Sequence, residues 1–270
     1  MPSVNTGKKT IKSIKVYKDH VTLSFNKQRE KLQISKEAYL SSYLYEGKSL
    51  SQKDIASLYE ITAFSKLLNY ALSLINKRRY SERKLFEKLK AKDDNRAAVI
   101  SVLNRLKDSN LLDDKAYMND LIAWDDERKI GQNKIIKHLR DQGIPDTLVS
   151  KVHFSPSNEL KKAKGLTIKL DKKYSRYAFE IKKKHVYQAL LSQGFTPSIA
   201  KEAIEGVKPD KPKLEKEKLI SDFKKIKKRY ENKYEGYTLK QKIYAALANK
   251  GYKHSEIKLV LEEYSYENDF

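Results

Sequence analysis

Apolar positions alternate at period two near the start of the chain and recur at helical spacing through the rest. Ile14 and Val16, then Val21, Leu23 and Phe25, then Leu32 and Ile34 mark three short strands, with turns at Lys18-Asp19-His20 and Asn26-Lys27-Gln28. That pattern predicts a small antiparallel meander. Ser35 is placed to cap a short helix that reaches about Tyr45 and ends at Gly47. Ser51 and Asp54 open another helix, through Ile55, Ala56 and Leu58, in a capping-box arrangement. Residues 1–60 are therefore expected to form a small α+β leader.

From about Ile61 the spacing is helical, and one frame repeats. A leucine, three residues, a glycine and an apolar residue occur as Leu139…Gly143-Ile144, Leu190…Gly194-Phe195 and Leu247…Gly251-Tyr252. Such a frame describes a helix that ends on a left-handed glycine, with the next apolar side chain folding back on the last turn. Ile135, Val186 and Ile243 sit four residues before each leucine, and a short second apolar stripe follows, such as Ile257, Val260 and Leu261. Leu85 and Leu89 match the frame one step earlier, with Asp93 where the glycine would fall. The anchors Leu89, Leu139, Leu190 and Leu247 are 50, 51 and 57 residues apart. That period predicts a mainly all-α fold, an elongated tandem array of three-helix repeats over 61–112, 113–154, 155–207 and 208–270 behind the leader.

Charge changes this picture from a scaffold to a binder. The 270 residues carry 57 Lys+Arg against 35 Asp+Glu, a formal +22. Polyanions attract such a protein through counterion release. Most of the charge is lysine, a point charge better suited to backbone contact than to reading bases; solubility is the plainer reason for it. Basic residues crowd Lys161–His185 and Lys211–Lys233, whereas Asp113–Glu127 holds six acids against Lys115 and Arg128 follows it. That acidic stretch reads as a solvated helix face, or as a docking patch for a basic partner. The chain has no cysteine, its start lacks an apolar run, and no segment approaches a membrane span, so a cytoplasmic protein without a membrane partner is expected.

Candidate chemistry is sparse. Glu46-Gly47-Lys48-Ser49 resembles the end of a phosphate loop, but Ser42 stands where its first glycine belongs. His20, His138, His153, His185 and His254 lie apart without ligand spacing, so no metal site is expected. Asp113 or Asp114 with Glu127-Arg128-Lys129 fits a loose nuclease pattern that recurs wherever lysine is dense. No enzyme, cofactor or small-molecule substrate follows. Aromatic rings do mix with cations at Arg78-Arg79-Tyr80, at Lys172-Lys173-Tyr174 with Arg176-Tyr177, and at Lys228-Arg229-Tyr230 with Lys233-Tyr234. Such mixtures stack single-stranded bases or simply pack at the core edge.

The run Arg79-Tyr80-Ser81-Glu82-Arg83-Lys84-Leu85-Phe86-Glu87-Lys88-Leu89 resembles the opening signature of the RecX family. Val102-Leu103-Asn104-Arg105-Leu106, then Leu111-Leu112-Asp113-Asp114 and Tyr117, resembles that family's most recognisable segment. Arg128, Gly131, Ile135, Leu139, Gly143 and Ile144 are similar to its second repeat. The similarity is strongest over 66–154; Asp93, the fourth repeat and the strand-containing leader depart from the usual three-repeat core. The resemblance implies a non-enzymatic regulator that binds the RecA–single-stranded DNA filament, lies in its groove and inhibits its ATPase and strand exchange. The contacts expected on that reading are Arg78, Arg79, Arg128, Lys134, Arg140, Lys172, Lys173, Arg176, Lys182, Lys183, Lys184, Lys228 and Arg229. The 113–127 acids would meet the recombinase or, more plainly, Asp113 or Asp114 caps the next helix. The alternative is a free-standing single-stranded DNA or RNA binder that regulates gene expression, with Leu50–Tyr59 as a possible start of a helix-turn-helix.

Overall fold

The computed structural model describes residues 8–26 and 30–264; the leader's first residues and the turn positions Lys27 and Gln28 lie outside them. β1 (Lys9–Val16), β2 (Val21–Phe25) and β3 (Lys31–Ile34) form the antiparallel meander, and β4 (Ser49–Leu50) pairs with β1. The sheet order is β3-β2-β1-β4, so the expected three strands become four. A two-residue strand has no alternation to reveal it. The register of β1 shifts between Ile11 and Ser13, so that Ile11 faces Phe25 while Ile14 faces Leu23. This bulge puts residues three apart on one face. Ile11 is consequently in the core with Ile14 packed against it, while Val16, the last residue of the strand, is exposed.

α1 (Lys36–Ser41) starts on Ser35, whose hydroxyl accepts from the Ala38 amide, but it stops short of Tyr45. Tyr43 turns left-handed at φ +47°, and the Lys48 ammonium donates to the Ser42 and Tyr43 carbonyls at 2.8 and 3.1 Å. α2 (Gln52–Ile75) carries the expected capping box: Asp54 N–H donates to the Ser51 hydroxyl, and Ser51 N–H donates to the Asp54 carboxylate at 2.7 Å. It is one unbroken helix of 24 residues across position 60, which leaves no helix-turn-helix at Leu50–Tyr59. Its Leu58 joins the leader core with Ile11, Val21, Leu23 and Leu50, while Leu67 and Ala71 join the next one.

Eleven more helices follow: α3 (Glu82–Lys90), α4 (Arg96–Asp108), α5 (Asp114–Glu127), α6 (Gln132–Asp141), α7 (Asp146–Val149), α8 (Pro156–Lys173), α9 (Phe179–Ser192), α10 (Pro197–Ile204), α11 (Pro212–Tyr230), α12 (Gly236–Asn249) and α13 (His254–Glu263). The described residues are thus mainly α with one small sheet. They form two compact units, one through Met118 plus Asp141–Asp146, the other Asn119–Arg140 plus Thr147 onward. In the first, α2–α4 bury Leu67, Leu85, Leu89, Val102 and Leu106. In the second, α8–α10 close over Ala163, Val186, Leu190 and Phe195, and α11–α13 over Phe223, Ile243, Leu247 and Ile257.

The glycine frames end their helices as the spacing predicts. Gly143, Gly194 and Gly251 have φ of +80°, +92° and +84°, and Ile144, Phe195 and Tyr252 are buried after them. Phe195 N–H returns to the Leu190 carbonyl at 3.2 Å, which is the fold-back of a Schellman turn. Asp93 is not left-handed. There the turn is longer, with the Asp93 carboxylate accepting from Asn95 N–H at 2.9 Å and Asn95 capping α4.

These turns also seat on the start of an earlier helix. The Ser81 hydroxyl, at the N-terminus of α3, donates to the Gln142 carbonyl at 2.6 Å, next to Gly143. Gly131 N–H and Asn133 N–H, at the start of α6, donate to the Gln193 and Gly194 carbonyls at 2.9 and 3.0 Å. The Ile181 side chain on α9 lies against Gly251. At the start of α6, orphan amides of one helix thereby satisfy orphan carbonyls at another helix end. A carboxylate completes two of these starts: Asp114 accepts from Glu82 N–H at 2.8 Å, and Glu159 from Gln132 N–H at 3.0 Å.

Buried and partly buried lysines hold the second unit together. The Lys162 ammonium donates to the Ile130 carbonyl at 2.9 Å and pairs with Glu159 and Asp126. Lys218 pairs with Asp210 and, at 3.2 Å, with Glu215. Burial alone would raise the Asp210 carboxyl, but the Lys218 and Lys182 ammonium groups hold it below its ordinary value. A carboxyl held low in the fold stabilises it above the unfolded value, about 4, and that stability is lost as pH falls through the folded value. The melting temperature should therefore fall more for the native chain than for Asp210→Asn between about pH 6 and about pH 3. Equal falls in a calorimetric series would count against the pairing.

Candidate nucleic-acid interface

Cations near a helix C-terminus offset the partial negative charge of its carbonyls, and most of the sequence-expected contacts lie in such places. Arg78 and Arg79 follow α2, Arg128 follows α5, Arg140 lies in the last turn of α6, Lys172 and Lys173 close α8 with Arg176 beyond, and Lys228 and Arg229 close α11. All of these are exposed, as are Lys134 in the first turn of α6 and Lys184 on α9. The Lys134 ammonium reaches the Gln193 side chain at 3.5 Å.

Lys182 is a correction. Its side chain is 1% exposed, and its ammonium lies 3.0 Å from Asp171 and 3.5 Å from Asp210. An ammonium enclosed by two carboxylates is committed to the fold, so it offers nothing to a phosphate. Lys183 is half-buried, its ammonium 5.5 Å from the Phe179 ring centre. Of the run Lys182-Lys183-Lys184, only the last stands well out in solvent.

The rings beside these cations are ordered. The Arg78 guanidinium lies 4.4 Å from the Tyr80 ring centre, Arg128 4.1 Å from Trp124, Arg176 5.0 Å from Tyr177 and Arg229 5.7 Å from Tyr230. Arg176 also donates to the Tyr177 hydroxyl at 2.9 Å. Tyr174 stacks on His185 at 5.3 Å, with Lys173 over its ring, and Tyr177 meets the same histidine at 4.7 Å. Sequence reasoning had passed over Trp124. The signal was available: Trp124 and Arg128 are four apart on one helix, the spacing that brings side chains together.

Behind that pair, the Asp125 carboxylate is 1% exposed and lies 2.7 Å from His138 Nδ1. Its other oxygen lies 4.0 Å from Arg128. The acidic stretch is thus not a uniformly solvated face. The Asp113 carboxylate accepts from Lys115 N–H and Ala116 N–H at 2.8 and 3.0 Å and so caps α5, the plainer of the two roles expected for it. Asp114 is half-buried; burial pushes its carboxyl up, against the pull of the Glu82 amide. Asp126 pairs with Lys162. The loose nuclease grouping comes apart as well, because Asp114 and Glu127 stand at opposite ends of a helix of 14 residues, about 20 Å long.

No helix among the described residues is long and apolar enough to cross a membrane. No protein-family model matches the chain. It is similar to the regulatory protein RecX of Lactococcus lactis subsp. lactis, 29% identical over 257 residues that cover 91% of this chain and 94% of the relative. It is similar to that of Streptococcus gordonii at 27% identity over 241 residues, covering 87% and 92%. Among solved structures, a crystal structure of regulatory protein RecX matches 73% of this chain and 99% of its own with a TM-score of 0.61 at 22% identity. RecX from Lactobacillus salivarius matches 53% and 96% with a TM-score of 0.50 at 24% identity. The structural likenesses concern the fold.

Proposed function

We propose that the chain, which is similar over most of its length to regulatory proteins RecX, is a member of that family and a non-enzymatic modulator of the RecA–single-stranded DNA filament. On this reading it acts in the cytoplasm, binds the protein-coated strand and inhibits its ATP hydrolysis and strand exchange during recombination, repair and the SOS response. The observation that carries the reading is relatedness over most of both chains: the alignments take in about nine-tenths of each partner. The exposed cations at the ends of α2, α5, α8 and α11 support it, since a polyanion is the partner that such groups attract.

We read 61–112, 113–154, 155–207 and 208–270 as four three-helix repeats after the leader 1–60. The recurring glycine turn, seated each time on an earlier helix start, supports that division. Lys182 is not among the proposed contacts; the other twelve cations are. A second reading, a free-standing single-stranded DNA or RNA regulator, draws on the arginine–ring pairs, which need no recombinase to meet a base.

The deciding measurement is DNA-dependent ATP hydrolysis by the cognate recombinase with increasing amounts of this protein. Hydrolysis should fall at low salt, and the inhibition should weaken steeply as salt rises. Unchanged hydrolysis and unchanged filament length would overturn the proposal. Tight binding to a bare strand without any effect on the recombinase would select the second reading.

A further inference from the structure

The four arginine–ring pairs occupy the same place in four successive helix triplets. Arg78 and Tyr80 follow α2, Trp124 lies in the last turn of α5 with Arg128 just beyond, Arg176 and Tyr177 follow α8, and Arg229 and Tyr230 close α11. The arginines are 50, 48 and 53 residues apart, close to the spacing of the leucine anchors. A helix C-terminus accounts for a cation there, but not for the choice of cation, because lysine serves the dipole equally well. The chain has 10 arginines against 47 lysines, yet four of those ten stand at this one position. A flat, weakly hydrated cation on a ring has been placed there where a lysine would have been the commoner choice.

The rings remain accessible. Trp124 is 50% exposed, Tyr80, Tyr177 and Tyr230 are half-buried, and all four arginines are exposed. An unpaired base offers a π-face that stacks on such a ring or guanidinium, while the guanidinium N–H groups reach the adjacent phosphate. A base within a duplex has both faces covered. We propose that each triplet's arginine–aromatic pair is a base-stacking site for single-stranded nucleic acid, indifferent to sequence and selective against duplex. The inference rests on the reading that this protein meets single-stranded DNA, and it adds that the contact reaches the bases.

Trp124 is the only tryptophan in the chain, so its emission reports one of the four sites. The full-length protein is titrated with a thymidine homo-oligonucleotide while the anisotropy of a label on the strand follows total binding. Trp124 emission should be quenched in step with binding, and a duplex of equal length should quench it much less. Arg128→Lys keeps the charge and removes the flat surface; it and Trp124→Leu should each weaken binding by roughly five- to tenfold with helicity unchanged. Arg105→Lys on α4, outside every ring pair, should bind as the native chain does.

Saturated binding without a change in emission overturns the proposal. So do Arg128→Lys binding like the native chain, equal quenching by duplex, and failure to bind the strand at low salt. Emission that responds to recombinase without DNA overturns it too, by making the pair a protein contact. Inhibition of the recombinase that survives in both variants, with strand binding unaltered, would leave the proposed regulator standing while the stacking sites fall.

Discussion

Lys182→Glu is expected to abolish cooperative folding of the second compact unit. The native ammonium is almost wholly enclosed and lies between Asp171 and Asp210. Removing one partner of a buried ion pair typically costs about 3–5 kcal/mol; Asp210 would keep Lys218 and Asp171 is partly exposed, so the heavier cost is the new carboxylate in the enclosed place. Glutamate would go further by crowding three carboxylates into one site. Whole-domain stabilities are only about 5–15 kcal/mol, so the variant should lose its thermal transition in a circular-dichroism melt or show it many degrees lower. Lys182→Met, similar in length and uncharged, should fall between the two. Lys184→Glu, two residues on and exposed, should melt with the native chain. If Lys182→Glu and Lys184→Glu melt alike, Lys182 is not a structural ion and returns to the surface set.

Gly194→Ala should be the next most damaging single change. Two costs add. At φ +92° any side chain is strained, by roughly 1–2 kcal/mol. A Cβ there would also run into the backbone nitrogen and Cβ of Lys134, with the Gly131 carbonyl at 2.9 Å. Backbone cannot rotate aside, so relief means separating the turn from the start of α6. That breaks the donations from Gly131 and Asn133 to the Gln193 and Gly194 carbonyls. The sum is expected to reach about 3 kcal/mol or more. Gly236→Ala is the comparison, because Gly236 has φ +50° and open space around it. It should cost only the conformational part, about 1 kcal/mol. Equal losses in paired chemical denaturations would mean that the Gly194 turn is not clamped against α6.

The two cases separate what local pattern announces from what it hides. Gly194 was legible because a left-handed helix end has a chemical signature, a leucine before and an apolar residue after. Its second role, making room for Lys134 from 60 positions earlier, was not, because no spacing rule relates those segments. Lys182 read as the first of three surface lysines because charge says nothing about direction. Only the packing of α9 turned it inward, where Asp171 and Asp210 were already waiting. The β1 bulge hid a residue in the same manner: the inserted position puts Ile11, three rather than two residues before Ile14, on the core face, where strict alternation would not place it.

At the candidate interface the division is similar. The cation–ring mixtures at Arg78, Arg176 and Arg229 were visible as neighbours in the chain, whereas Trp124 and Arg128 needed a helix to bring them together. Among the acids of 113–127 the cap at Asp113 was legible, whereas only the fold gave Asp114 the Glu82 amide, Asp125 a histidine and Asp126 a lysine.

By itself, the order of residues determined the helices, their caps, their glycine ends, the small meander and the cationic character, since each depends on neighbours within a few positions or on a plain count. Tertiary structure alone decided which charges are spent inside the protein, where the leader's last helix continues into the following core, and which rings keep a face toward solvent. Those outcomes depend on desolvation, and desolvation is set by segments that arrive from far along the chain.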